Sequence, residues 1–461
     1  MNTKSILAAF RTARLFIVGI PAWAARTPSL LLTLMGFVAL ASLLVGASNI
    51  RIADQMTQAM KVISVDCVPS IRIADQIRLR LYSMNVAVCD ALLTSADDPH
   101  AAMLNEKAQV LDSLMAVTEN VTHGEKEREP IRRIFSGIGS YEGLVRAAAT
   151  QGSFQRIASI LKASNAIGQD VAPSAEQLGD LNVKAMDQAT LLHFEGDSQI
   201  KVLDWTNLGL LLVLIFLQVF LAFRFRRLVN IPLLVATLVL GWLTWSNHQR
   251  FGEIQTATVG AVRTSFDSYL ALSRIKTLLN GAKTDQTLYL LVLSREKDAR
   301  ADSFMKRFAR IISADLTDQR IYDRCRLAVE QGKKIEMNGY LPTVFNHVKS
   351  PAEAKLTLNF VDCLKQYLEV DAQVRMQEKE SKHEAAVALV LGKKPGESEF
   401  IFSQMIFALD DIMQLTWERY ERDIAQASRQ IAALRLYSIG ALISVLLLSA
   451  IGIRMRLAEY N

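Results

Sequence analysis

The chain has 461 residues, a formal net charge of +6 and a composition that is 51% hydrophobic. The positive charge does not indicate nucleic-acid binding, because nine Lys and Arg residues flank apolar runs, where attraction to anionic lipid accounts for them. Four such runs contain no charged residue, and each is at least 18 residues long. A membrane-spanning helix needs about 20 mostly apolar residues. The composition therefore predicts an integral membrane protein with four spans in contact with membrane lipids.

The predicted elements follow one another in a regular order. They are an N-terminal cytoplasmic or interfacial segment (1–27), a span (28–49), a polar block (50–204), a second span (205–223), a cytoplasmic turn (224–228), a third span (229–247), a second polar block (248–435), a fourth span (436–453) and a cytoplasmic tail (454–461). Segment 1–27 is expected to form an amphipathic helix on the inner membrane face, or else a disordered tail.

Lys and Arg residues are concentrated in the three short segments 1–27, 224–228 and 454–461. Segments rich in Lys and Arg next to membrane spans stay in the cytoplasm. We therefore expect a multi-pass protein of a bacterial inner (cytoplasmic) membrane, with both large polar blocks in the periplasm.

Both polar blocks have the periodicity of helices rather than the alternation of strands. In the first block, apolar residues recur every three or four positions at Ile73, Ile77, Leu81, Met84, Val88 and Ala91. Turn-forming residues divide each block into a long first helix, two or more antiparallel helices and a long last helix that continues into the next span. This pattern predicts an all-α protein with two extracytoplasmic up-down helical bundles.

The two halves of the chain have the same layout of span, block and span. Aligning Ser48 with Ser246 matches 48–95 to 246–293 without gaps, but only eight of the 48 positions are identical. Two unrelated helical segments would share almost as many. The repeated order of elements, rather than the identities, indicates a tandem duplication.

Residues 64–80, SVDCVPSIRIADQIRLR, resemble the first helix of the four-helix-bundle ligand-binding domain of bacterial methyl-accepting chemoreceptors. Members of that family carry a short Val-Pro-Ser-Ile-like stretch followed by a helix with basic residues along an apolar seam. Residues 178–185, LGDLNVKA, resemble the last helix of that domain. The resemblance covers the first block, and the second block only by its architecture.

The resemblance implies a sensory protein, and the departures from it qualify that function. Chemoreceptors continue from their second span into a relay module and a long cytoplasmic hairpin, whereas only 224–228 separates the second and third spans here. The resemblance therefore implies a sensory module without its own output domain, acting through an unidentified membrane or cytoplasmic protein partner. Because chemoreceptors of this type work as homodimers, it also implies a covalent pseudo-dimer with the two blocks side by side.

The resemblance further implies that a small anionic ligand binds between the blocks through arginines of the first helix. The candidates are Arg72, Arg78 and Arg80. Arg72 and Arg80 are eight residues apart, which places them about 80° apart around a helix and so on one face. Lys276 occupies the position equivalent to Arg78. The alternative is that these are solvated charges paired with Asp75 and Asp90.

The remaining chemistry-bearing residues give little support to catalysis. Cys325 and Cys363 lie on different predicted helices and could form a disulfide, the alternative being buried free thiols. The six histidines form no metal-binding motif, and the chain has neither a phosphate-binding loop nor a nucleophile motif. We therefore expect no catalytic residues, no metal, no cofactor and no enzymatic activity. The leading function is a chemoreceptor-like sensory or regulatory module; the alternative is a scaffold or accessory subunit of a larger membrane complex.

Overall fold

The computed structural model describes residues 27–94, 98–119, 124–195, 198–225, 230–292 and 294–458. These residues form helices joined by short loops, and no strand occurs among them, so the prediction of an all-α fold is confirmed for this part of the chain. The expected interfacial segment 1–27 lies outside it except for Thr27. Residues 226–229 of the expected cytoplasmic turn also lie outside it.

The helices follow the repeated layout expected from the sequence. The first half contains α1 (Thr27–Lys61), α2 (Val68–Leu93), α3 (Pro99–Glu119), α4 (Glu125–Ala149), α5 (Ser153–Ala166), α6 (Ala172–Thr190) and α7 (Ser198–Phe225). The second half contains α8 (Ile231–Gly260), α9 (Asp267–Leu291), α10 (Ser294–Ile311), α11 (Gln319–Gln331), α12 (Leu341–Asn346), α13 (Pro351–Lys379), α14 (His383–Leu391) and α15 (Ser398–Leu457). The short helices α11, α12 and α14 make the second half more elaborate than the first.

Four π-helical segments interrupt these helices without ending them. They are π1 (Val62–Cys67), π2 (Ile167–Val171), π3 (Leu191–Glu195) and π4 (Ala261–Phe266). Pro69 and Pro173 are each the second residue of the α-helix that follows π1 or π2. Proline cannot donate the backbone hydrogen bond of an α-helix, and a wider π turn accommodates the missing bond. The break expected between Gly168 and Pro173 is therefore wrong: the chain stays helical there.

The chain forms two compact units. The apolar unit comprises Met1–Gln58, His193–Thr256 and Gln426–Asn461, and the polar unit comprises Ala59–Leu192 and Ala257–Ala425. The two units are described separately below.

Four helices, α1, α7, α8 and α15, share the core of the apolar unit. Its buried residues include Leu31, Leu214, Leu240 and Val445. Large apolar side chains also cover the outside of these helices, among them Leu43, Phe216, Leu238 and Leu447. Helices that are apolar on every side are typical of membrane spans.

Three helices in the described residues are long and apolar enough to cross a membrane: Leu31–Leu93, Phe154–Phe223 and Ser398–Leu457. The expected third span, 229–247, corresponds to α8, which is not among them. Within the described part, its apolar run extends only from Ile231 to Trp245 and is followed by Ser246, Asn247 and His248. Leu233 and Leu240 of α8 nevertheless lie in the same core as the other three helices.

Equivalent positions in the two halves make equivalent contacts in the apolar unit. The amide of Asn49 on α1 donates to Asn207 on α7, and the amide of Asn247 on α8 donates to Ser438 on α15, each over 3.4 Å. Both donors are fully buried. They are 198 residues apart, the same offset that aligns Ser48 with Ser246. In each half, the first helix is therefore bonded to the last helix in the same way.

The polar unit has two adjoining hydrophobic cores. One belongs to residues 59–192 and includes Ile77, Leu81, Met84 and Val88, the middle four of the predicted periodic series on α2. The other belongs to residues 257–425 and surrounds α9, with Phe304, Phe308, Tyr367 and Met405. Leu288 of α9 lies in the first core and Leu93 of α2 packs against the second, so the two cores meet where α2 and α9 meet.

Candidate functional site

The first long helices of the two halves, α2 and α9, run parallel and in register within the polar unit. The hydroxyl of Ser83 donates to Asn280 over 3.5 Å, and the hydroxyl of Thr287 donates to Asp90 over 3.1 Å. Both bonds join residues 197 positions apart. Since both pairs advance together along the two helices, the helices point the same way and pair at nearly equivalent positions.

A cavity of about 630 Å³ lies between α2, α9 and the first half of α15. Its polar residues include Arg72, Asp75, Arg80, Glu106, Lys276 and Asp410, and its apolar residues include Leu79, Phe402, Ile406, Met413 and Trp417. Mixed linings of this size are typical of sites for small molecules. The cavity is thus built by both halves of the chain, with its charged groups above an apolar wall.

The structure places the three predicted arginines differently. Arg72 and Arg80 both line the cavity, as their eight-residue spacing predicted. Arg78 does not line it: only 6% of Arg78 is exposed, and its guanidinium lies 3.4 Å from carboxylate oxygens of both Asp75 and Glu176. Arg78 is therefore a buried structural charge, which agrees with the alternative interpretation of pairing with Asp75.

The cations of the cavity differ in whether they already have a carboxylate partner. Arg80 lies 3.6 Å from Glu106, and Lys276 lies 2.5 Å from Asp410. Arg72 forms no ion pair with any residue that the structure describes, and its buried Nε has no hydrogen-bond partner among them. Its guanidinium instead lies 4.6 Å from the ring centroid of Trp417. Arg72 is thus the cation best able to receive an added anion.

Aromatic side chains hold Arg72 and Trp417 in place. The ring of Trp417 lies 5.3 Å from that of Tyr269 and 5.2 Å from that of Tyr420, and Phe266 lies 5.6 Å from Tyr420. Burial raises the pKa of Tyr269, while the positive charge of Arg72 partly opposes this increase. A guanidinium over an indole face keeps its donors free at its edge, so this stacking leaves Arg72 available to bind a carboxylate in the plane of its fork.

Lys283, Asp285 and Gln286 of α9 form buried polar contacts that sequence reasoning missed. Every residue from Thr277 to Leu290 is buried, including these three. Lys283 pairs with Glu399 of α15 and lies 3.4 Å from Asp90 of α2. These charges looked like the solvated face of an amphipathic helix, and only the packing of helices on every side of α9 reveals them as internal.

The other buried polar groups of α9 contact only the second half. Asp285 lies 2.7 Å from Arg307 and 3.5 Å from Arg300, both on α10. The amide of Gln286 donates to Asp371 on α13 over 3.1 Å. Paired in this way, charges can be buried without the large penalty of an isolated ion.

Four ion pairs between the halves have the same polarity. In each, an acid of residues 59–192 faces a base of residues 257–425: Asp180 with Arg274 at 3.3 Å, Asp187 with Arg263 at 2.6 Å, Glu176 with Arg310 at 3.9 Å, and Asp90 with Lys283 at 3.4 Å. The contact between the halves is therefore electrostatically complementary, which favours pairing of unlike halves.

The candidate disulfide is not formed in the structure. Cys325 on α11 and Cys363 on α13 are both buried free thiols. Burial raises the pKa of Cys325 to about 11 and also raises the pKa of Cys363. Thiols with such pKa values are poor nucleophiles at neutral pH. Among the described residues, His, Cys, Asp and Glu form no group that could hold a metal ion.

Comparison with known proteins adds one finding. Residues 59–190, which run from the end of α1 to the end of α6, match the family model of the actinobacterial sensor domain. No curated protein and no solved structure gives a significant match to the chain. The resemblance to chemoreceptors is therefore not confirmed at that level of detail. The family match and the all-helical fold support a sensor domain at residues 59–190, and with it a sensory role.

Proposed function

We propose that this protein is a chemoreceptor-like sensory module of a bacterial inner membrane, in which two periplasmic helical bundles form a covalent pseudo-dimer. The observation that carries the proposal is the match of residues 59–190 to a sensor domain. The in-register contact of α2 with α9 supports the pseudo-dimer, because identical helices related by a two-fold axis meet at equivalent positions.

The proposal includes four membrane spans. The packing of α8 into the same apolar core as α1, α7 and α15 supports a fourth span beside the three candidate helices. The concentration of Lys and Arg in 1–27, 224–228 and 454–461 supports the periplasmic location of both bundles. Exposed Trp205, Trp242 and Trp245 suit an anchoring role at one membrane surface.

The proposed ligand is a small anion bound by Arg72. This arginine is the cavity cation without a carboxylate partner among the described residues, and it is fixed against Trp417. Arg80 and Lys276 can add positive potential only by loosening their pairs with Glu106 and Asp410. We assign no catalytic role to the site.

The proposed output is a change in the membrane helices that an unidentified membrane or cytoplasmic protein detects. α1 and α15 each continue from the apolar unit into the polar unit without ending, which supports transmission along continuous helices. Only residues 226–230 connect α7 to α8, which leaves little room for an output domain at that point.

Anion binding can be tested with the full chain in lipid nanodiscs. Sodium salts of acetate, succinate, benzoate, phosphate and sulfate are compared with sodium chloride of equal ionic strength, and the thermal unfolding midpoint is measured. We expect at least one anion to raise the midpoint of the wild type but not of Arg72→Ala. Arg133→Ala, which removes an exposed arginine from α4, is the matched control and should respond like the wild type. An equal response of Arg72→Ala, or no stabilisation of the wild type, would exclude the anion site.

The topology is tested by labelling. All four native cysteines are buried, so an added exposed cysteine gives the clearer signal. Phe154→Cys on α5 and Phe407→Cys on α15 replace exposed side chains of the two halves. Both should react with a membrane-impermeant maleimide in cells whose outer membrane alone is permeabilised. Reaction only after the inner membrane is opened would place the bundles in the cytoplasm.

Co-purification separates the sensor from the alternative function. In mild detergent, a stoichiometric large complex that persists without any small anion would favour a scaffold or accessory subunit. A partner whose association changes with an anion that stabilises the wild type would favour the sensor.

A further inference from the structure

Two carboxylates from different helices share one buried ammonium where the two halves meet. Lys283 of α9 is only 5% exposed and contacts both Asp90 of α2 and Glu399 of α15. The hydroxyl of Thr287 also donates to Asp90 over 3.1 Å. When all three groups are ionised, this cluster contains one more negative charge than positive charge.

The neighbouring charged groups are already engaged with other partners. On α10, Arg300 and Arg307 both contact Asp285. On α13, Arg375 lies 2.5 Å from Asp371. The remaining titratable neighbours are the buried Cys89 of α2 and Tyr367 of α13, which are neutral at physiological pH because burial raises the pKa of each. A proton on Asp90 is thus the simplest way to remove the excess negative charge.

The direction of the pH effect follows from linkage. In the packed state, burial raises the pKa of Asp90, the charge of Lys283 partly lowers it, and Glu399 raises it again. If α2 and α9 separate enough to hydrate Asp90, its pKa returns towards the ordinary value of about 3.9. The packed state therefore binds the proton more tightly than the separated state, and lowering the pH favours the packed state.

We propose that Asp90, Lys283 and Glu399 form a proton-dependent lock between the two halves. A proton from solvent adds to the carboxylate of Asp90, leaves the pair of Lys283 with Glu399 intact, and tightens the contact of α2 with α9. At higher pH the lock loosens. Its use in signalling rests on the proposed sensory function, whereas the lock itself rests only on these contacts.

The lock can be tested by measuring distances between the halves in the full chain. Spin labels are attached to cysteines replacing the exposed residues Arg133 on α4 and Lys306 on α10, and the distance distribution is recorded from about pH 8 to about pH 5.5 in nanodiscs. We expect the packed population of the wild type to rise as the pH falls. The ratio of packed to separated molecules should change about tenfold for each unit by which the pKa of Asp90 differs between the two states.

Three variants make the test decisive. Asp90→Asn imitates the protonated state and should be packed at every pH, with no pH response. Asp112→Asn removes an exposed acid from α3 and should behave like the wild type. Lys283→Met leaves two carboxylates without their cation and should be the most separated at high pH. If Lys283→Met does not fold, the comparison of Asp90→Asn with the wild type still decides.

Two results would overturn the lock. One is a wild-type distribution that broadens, or does not change, on acidification. The other is an Asp90→Asn protein that retains the pH response of the wild type. Neither result affects the anion-binding test with Arg72→Ala, so failure of the lock and failure of the proposed ligand site are distinguishable.

Discussion

The helices α2 and α9 begin their halves of the polar unit at equivalent positions, but their surroundings differ. α2 buries one face in its own core and leaves Arg72 and Arg80 at the edge of a cavity. α9 is buried on every side along Thr277–Leu290, because α10, α12 and α14 pack around it. The comparison shows how a duplicated helix can become a binding surface in one half and the packed centre of the other.

The largest test of this difference removes a charge from the middle of α9. Asp285→Ala leaves Arg300 and Arg307 buried without their shared carboxylate, and loss of one partner from a buried ion pair costs about 3–5 kcal/mol. We expect a large fall in the thermal unfolding midpoint of the full chain. Asp112→Ala on α3, where the carboxylate is exposed, should change the midpoint little. Equal effects of the two variants would mean that the buried charges of α9 do not stabilise the second half.

A smaller effect is expected inside the first half, where two glycines of α4 provide a matched pair. A Cβ atom at Gly137 would lie 2.3 Å from a methyl group of Val171 in π2, whereas a Cβ atom at Gly139 would meet nothing within 4 Å. Gly137→Ala should therefore destabilise by about 1–3 kcal/mol through overpacking. Gly139→Ala should stabilise by up to about 1 kcal/mol, because alanine is the better helix former. Chemical denaturation measures both, and partial recovery in Gly137→Ala with Val171→Ala would identify the clash as the cause.

The smallest expected effect concerns the ion pairs between the halves. Arg263→Ala removes the partner of Asp187 in a partly exposed pair, which is worth about 0.2–1 kcal/mol. The loss should shrink further at about 1 M salt, where charges are screened over a few ångströms. The unfolding midpoint of the wild type and the variant, measured at low and high salt, tests this. A loss that stays constant with salt would show that Arg263 stabilises by packing instead.

Much of the helical architecture could be predicted from the sequence. The three- to four-residue spacing of Ile77, Leu81, Met84 and Val88 predicted the buried face of α2, because periodicity reports which face is apolar. The eight-residue spacing of Arg72 and Arg80 predicted their shared face. These are properties of one helix, and they need no knowledge of its neighbours.

Features that depend on several helices could not be predicted in this way. Lys283 and Asp285 have the sequence pattern of an exposed face, and their burial follows only from contacts with α2, α10 and α15. Arg78 is excluded from the cavity because Glu176, almost 100 residues away, lies within reach of its guanidinium. The π segments were missed as well, since proline was expected to kink or end a helix rather than widen one turn.

The single-chain arrangement of α2 and α9 also fixes a stoichiometry. In a dimer of identical chains, an arginine on one first helix is repeated on the other, so every contact between the subunits occurs twice. Here Arg72 has Leu270 at the aligned position of α9, an apolar residue that cannot bind an anion. The cavity beside Trp417 therefore has no duplicate on the other side of the pair, and each polypeptide offers one such pocket rather than two.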